Sequence, residues 1–195
     1  FNPLLIAKVE APPILGLHSI SLKLSSSIKA CKTKGPLISN FEIISWFDKS
    51  FGISNGHPMN HGGSWNFDFG KVKYVNAIHS STLPDGSSGG NPGGFIIESK
   101  HGNFYYAGDT ALHMDMQLIG QYHSIDFALL PIGDNFTMGY EDAAIAAEMV
   151  KTKNVIGLHY DTFGFIEIDH TKAKEAFNKK NVTLLLPEIG EEINL

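Results

Sequence analysis

Three residues of this sequence have the types and placing for metal chemistry: His79, Asp109 and His159. Each follows an apolar run that reads as a strand: KVKYVNAIHSS, NFYYAGDT and NVIGLHYDT. Imidazole and carboxylate are ligands for a borderline-to-hard divalent cation. A carboxylate at the end of a buried strand also needs its charge compensated, by a cation or a helix N-terminus. Taken singly, each has a plainer reading: a core histidine, a turn aspartate, an ordinary strand-end histidine. Together they stand at C-terminal strand ends beside Gly or Ser, where α/β sheets gather ligands. A shared metal would bring their ligating atoms within roughly 5 Å of one another.

Other chemistry is less well supported. His57 and His61 lie four apart in HPMNHGG, in position to bind metal or substrate or to belong to a solvated loop. His101, His113, His123 and His170 read as surface or capping residues. The run GSSGGNPGG suggests a phosphate cradle but lacks the P-loop pattern and its lysine, so it reads as a mobile active-site wall. Thr110 has no base nearby in sequence, and no serine stands in G-x-S-x-G. Serine nucleophile catalysis is therefore disfavoured.

The elements that would position these residues alternate between strand and helix. Leu37–Asn40 reads as a strand and Phe41 onward as a helix, with Asn40 as N-cap and Glu42 in the first turn. His57–Gly63 reads as a loop, from its Pro and Gly. Trp65–Phe69 and Lys71–His79 read as strands about Gly70, with Trp65, Phe67 and Phe69 alternating with polar residues. Ser80–Gly94 is a long glycine-rich loop, followed by a hairpin of Phe95–Glu98 and Phe104–Ala107. Leu112–Tyr122, Glu141–Lys151 and His170–Lys180 read as helices; Ile125–Ile132, Asn154–Leu158 and Val182–Leu186 read as strands. IDFALLPI is apolar throughout, as in a strand covered on both faces.

Composition bounds the class. The chain has 195 residues, 43% hydrophobic and 18% charged, enough for one mixed α/β domain with a full core. A net charge of −5 and the lack of any Lys/Arg run argue against nucleic acid or a membrane surface as partner. One cysteine, Cys31, excludes an internal disulfide framework and points to the cytoplasm. No apolar run reaches transmembrane length. The opening FNPLLIAKVEAPPILGL lacks the pattern of a signal peptide and an initiating Met, which suggests a fragment.

From about Leu37 to Leu195 the chain resembles the metallo-β-lactamase superfamily, in its branch of uncharacterised metal-dependent hydrolases. The stretches that carry the resemblance are HPMNHGGSWNFDFGKVKYVNAIHSS, GGNPGGFIIESKHGNFYYAGDT, IDFALLPIGDNFTMGYEDAA and VIGLHYDTF. It implies an α/β fold of the α+β kind, an αββα sandwich with the metal site at one edge between the sheets. It also implies two divalent ions, zinc by default, with His79 a ligand of the first and His159 of the second. Asp109 would bridge them as the catalytic carboxylate. The implied reaction is attack of a metal-activated hydroxide on an ester, lactone, amide or phosphodiester of a small-molecule substrate. Whether the chain forms a homo-oligomer is left open. A nuclease of the same superfamily is disfavoured by the acidic balance. The alternative is an inactive homologue that serves as a binding module.

The resemblance departs from the family in one place. The signature H-x-H-x-D-H should fall between about Ile14 and Pro36, where the chain reads ILGLHSISLKLSSSIKACKTKGP, with His18 and no acidic residue. The family's first hairpin is missing too, so the expectation is a single domain over residues 1–195 whose residues 1–36 are divergent or disordered. Divergence or a reading-frame disturbance would explain residues 14–36, and the abrupt return to family-like sequence near Leu37 favours the second. With so few ligands, activity is expected to be impaired.

Overall fold

The computed structural model describes residues 35–188 and residue 191. The expected divergent segment and the expected place of the family signature lie outside the described residues, except for Gly35 and Pro36.

Strand β1 (Leu37–Asn40) runs into helix α1 (Phe41–Phe51). Asn40 caps that helix as expected: its side chain accepts from Ile43 N, and Glu42 lies in the first turn. Gly52, at φ +65°, ends it in the left-handed conformation that glycine adopts freely. The chain then forms β2 (Gly56–Met59), which pairs with β1 in parallel. The loop expected over His57–Gly63 is therefore a strand in its first half. Among the described residues this sheet has two strands, so Pro58 lies on an edge strand, where a missing N–H breaks no interior ladder.

A seven-stranded mixed sheet follows in the order β3 to β9. Its members are β3 (Ser64–Phe67), β4 (Gly70–Asn76), β5 (Gly93–Ser99), β6 (Gly102–Tyr106), β7 (Phe127–Pro131), β8 (Asn154–Leu158) and β9 (Thr183–Leu185). The first four are antiparallel neighbours; β6 to β9 are parallel. Parallel strands need crossovers, and α2 (Asp115–Tyr122), α3 (Tyr140–Met149) and α4 (His170–Asn178) supply them.

Alternation along the strands makes two cores. Ile96, Tyr105, Ala128, Leu130 and Val155 face the helices, packing with Met116, Ala143, Ala147 and Phe177. Phe95, Ile97, Tyr106, Leu129 and Ile156 face the other way, packing with Ile38 of β1 and Met59 of β2. Beyond the small sheet, Leu37 packs on Ile44 and Phe47 of α1. The layers are thus helix, small sheet, large sheet, helices: the expected αββα sandwich. All five residues of β7 are buried, as its unbroken apolar sequence predicts for a parallel strand between two others.

Several boundaries differ from the sequence reading. Strand β4 stops at Asn76, opposite Gly93, rather than at His79. Past that point the backbone turns to another partner, and Ile78 N donates to Thr110 Oγ1 at 2.9 Å. Helix α2 starts at Asp115 rather than Leu112, since Ala111 N is held by Ile78 O at 3.1 Å. Helix α3 ends at Met149, two residues before Lys151 takes φ +58°. The alternation in WNFDF does not bury Trp65, which is 56% exposed, because β3 is an edge strand reaching past the core.

Candidate metal centre

The large sheet delivers Asp109 and His159 to one place. His159 follows β8 directly, at φ +55°. Asp109 lies three residues past β6, after Gly108 turns the chain at φ +69°. Their side chains approach to 4.0 Å, Oδ2 to Nε2, and are only 16% and 19% exposed. That separation is too long for a hydrogen bond. It suits two ligands of one cation, each near 2 Å from the metal. His159 Nδ1 is buried with no partner among the described residues. Burial pushes the Tyr106 phenol pKa up, with the nearby Asp109 charge as the lesser cause.

The backbone around the pair is tightly tied. Thr110 is fully buried; its hydroxyl accepts from Ile78 N and donates to Ala111 O. That makes it a staple and not a nucleophile. Thr110 O accepts from Met138 N at 3.1 Å, which fixes the loop after β7 beside Asp109. Gly133 in that loop lies so close to the β8 end that a Cβ there would sit 2.0 Å from His159 O. Asp161 accepts from Ile168 N at 2.9 Å and binds His170 Nε2 at 2.5 Å, which closes the turn that follows His159.

The other expected site residues are placed less centrally. His79 is exposed, and its Nδ1 lies 2.9 Å from Ser80 O. Its neighbour Ile78 is stitched to Thr110, yet no group of three or more His, Cys, Asp or Glu able to hold a metal forms among the described residues. His57 packs against the rings of Trp65 and Phe67, and burial lowers its pKa. His61 stacks on Tyr74 at 5.0 Å, with Nε2 at 2.8 Å from Pro92 O. Of the three expected metal ligands, the structure thus brings Asp109 and His159 together and leaves His79 apart from them among the described residues.

Two readings need correction. The glycine-rich loop is pinned to α1 rather than a free wall: Asn40 Nδ2 donates to Gly89 O and Asn91 O, and Trp46 Nε1 to Asp85 Oδ2. His113, expected as a surface or capping residue, is 8% exposed, with both ring nitrogens unpartnered among the described residues. Sequence reasoning also passed over Phe136, Phe163 and Phe165, whose exposure shows only in the fold.

The layered sandwich with ligand-type residues at its strand ends defines a family. The profile of the beta-lactamase superfamily domain matches residues 32–160, and the chain belongs to that superfamily. Among its relatives is the UPF0173 metal-dependent hydrolase of Christiangramia forsetii, 58% identical over 167 residues, covering 85% of this chain and 73% of that protein. A UPF0173 metal-dependent hydrolase of Thermus thermophilus is 40% identical over 190 residues, covering 97% and 84%. Among solved structures, the metallo hydrolase Igni18 of Ignicoccus hospitalis aligns with TM-score 0.73 at 30% identity, over 87% of this chain and 72% of that one. Among the described residues no helix is long and apolar enough to cross a membrane.

Proposed function

We propose that the chain is a metal-dependent hydrolase acting on a small-molecule ester, lactone, amide or phosphodiester in the cytoplasm. The observation that carries this is the 4.0 Å approach of the Asp109 carboxylate to His159 Nε2 at adjoining strand ends. The relatives, described as metal-dependent hydrolases, support it. A divalent cation in such a site, zinc by default and two per chain in the intact family, lowers the pKa of a water and polarises the bond to be broken. Asp109 supplies the charge that holds it. His159, in the left-handed conformation, presents Nε2 toward Asp109. His79 is the proposed third ligand; its neighbour Ile78 is tied to Thr110, next to Asp109. His57 and His61 are proposed on the substrate side. Lacking H-x-H-x-D-H, the chain binds its cation weakly and turns over slowly.

The test is hydrolysis of p-nitrophenyl acetate and bis(p-nitrophenyl) phosphate with added zinc, comparing the native chain with Asp109→Asn. Turnover that needs zinc and drops at least tenfold in the variant is expected. Equal rates in the two chains would refute the assignment. A folded chain that holds no ion at any zinc concentration would identify a binding module instead.

A further inference from the structure

Three phenylalanines stand out against the rule that large apolar side chains are buried. Phe136, Phe163 and Phe165 are 51%, 47% and 74% exposed, yet they lie together, with Phe136 6.0 Å from Phe163 and 6.3 Å from Phe165 by ring centroid. A clustered apolar exposure, unlike a scattered one, marks a place of binding.

The two loops that carry them are the loops that hold the metal pair. Phe136 is the tip of the turn closed by the Gly133–Gly139 bridge, and that turn is fixed to Thr110, next to Asp109, through Met138 N. Phe163 and Phe165 belong to the turn after His159, closed where Asp161 N donates to Ile166 O and Ile166 N to Phe163 O. Gly133 and His159 O are in close approach, so the loops meet at the site itself. The rings therefore form a lip beside Asp109 and His159.

We propose that this lip binds the apolar group of the substrate, so that the substrates are neutral carbonyl compounds with an alkyl or aryl chain. The proposal rests on the hydrolase reading. Area favours a small ligand over a second copy. Three half-exposed rings offer on the order of 300 Å², well short of the roughly 800 Å² per partner of a stable interface.

The experiment is calorimetric titration of the chain with butanamide, hexanamide and octanamide, beside kcat/KM for p-nitrophenyl acetate, butyrate and octanoate. Affinity and kcat/KM should both rise with chain length, toward about fourfold per methylene where burial is full. Phe136→Ser with Phe165→Ser should flatten both slopes. Phe165→Ser alone, at the most exposed ring, should flatten them in part and guards against a folding defect. Equal slopes in native and variant chains would overturn the proposal. So would a concentration-dependent dimer that the substitutions abolish, since the rings would then face a second copy. Ester turnover that survives Asp109→Ala sinks the hydrolase reading while leaving the amide titration to decide the lip.

Discussion

A carboxylate and an imidazole held 4.0 Å apart, both mostly buried, are too far apart for a hydrogen bond, and the proposed cation would give both a partner. His113 poses the opposite problem. Its ring nitrogens are buried without partners among the described residues, and so is the Tyr105 hydroxyl. Burial lowers the His113 pKa from 6.5, and the Asp115 charge opposes this only in part. Below about pH 6.5 the unfolded chain takes up a proton at His113 that the folded chain resists, so stability falls as pH drops through that window. His113→Phe removes both the titration and an unmet polar demand. It should raise the melting temperature, more at about pH 5.5 than at about pH 7.5; thermal melts at both pH values check this, and a lower melting point at both would contradict it. The burial of His113 was not legible in ALHMDM. It follows from the Ala111–Ile78 bond, a contact 33 positions apart in the chain.

Elements were read well where their cause is local. Asn40 was legible as a cap because capping involves only the next three residues. Its other bonds, to Gly89 O at 2.6 Å and Asn91 O at 3.2 Å, join residues about fifty positions apart and left no local mark. They pin the glycine-rich loop that composition alone suggests is free. Strand β2 was missed for the same reason: among the described residues its only partner is β1, and its Pro58 spoke for a loop. Asn40→Ala removes the cap and both loop ties, and should cost roughly 1–3 kcal/mol. Urea denaturation measures it. Asn40→Asp, which keeps the cap and loses the donor, should fall between the two. A native-like midpoint in the alanine variant would show that the ties contribute nothing.

At the scale of the molecule, the sandwich follows from strand alternation that gives the large sheet two apolar faces, one for the helices and one for the small sheet. The placing of His79, Asp109 and His159 near strand ends was legible, since all three stand just past strands of that sheet. Their distances were not, because each depends on how many residues the chain spends after leaving the ladder: none for His159, two each before Asp109 and His79. The central claim is that Asp109 and His159 hold a divalent cation together. A titration with cobalt(II), followed by its visible absorption, tests it most directly, because the band reports coordination by protein groups whether or not the chain turns over substrate. The native chain should develop a saturable band, and Asp109→Ala and His159→Ala, with folding confirmed by circular dichroism, should each weaken binding at least tenfold. Binding curves that coincide for all three chains would contradict the account.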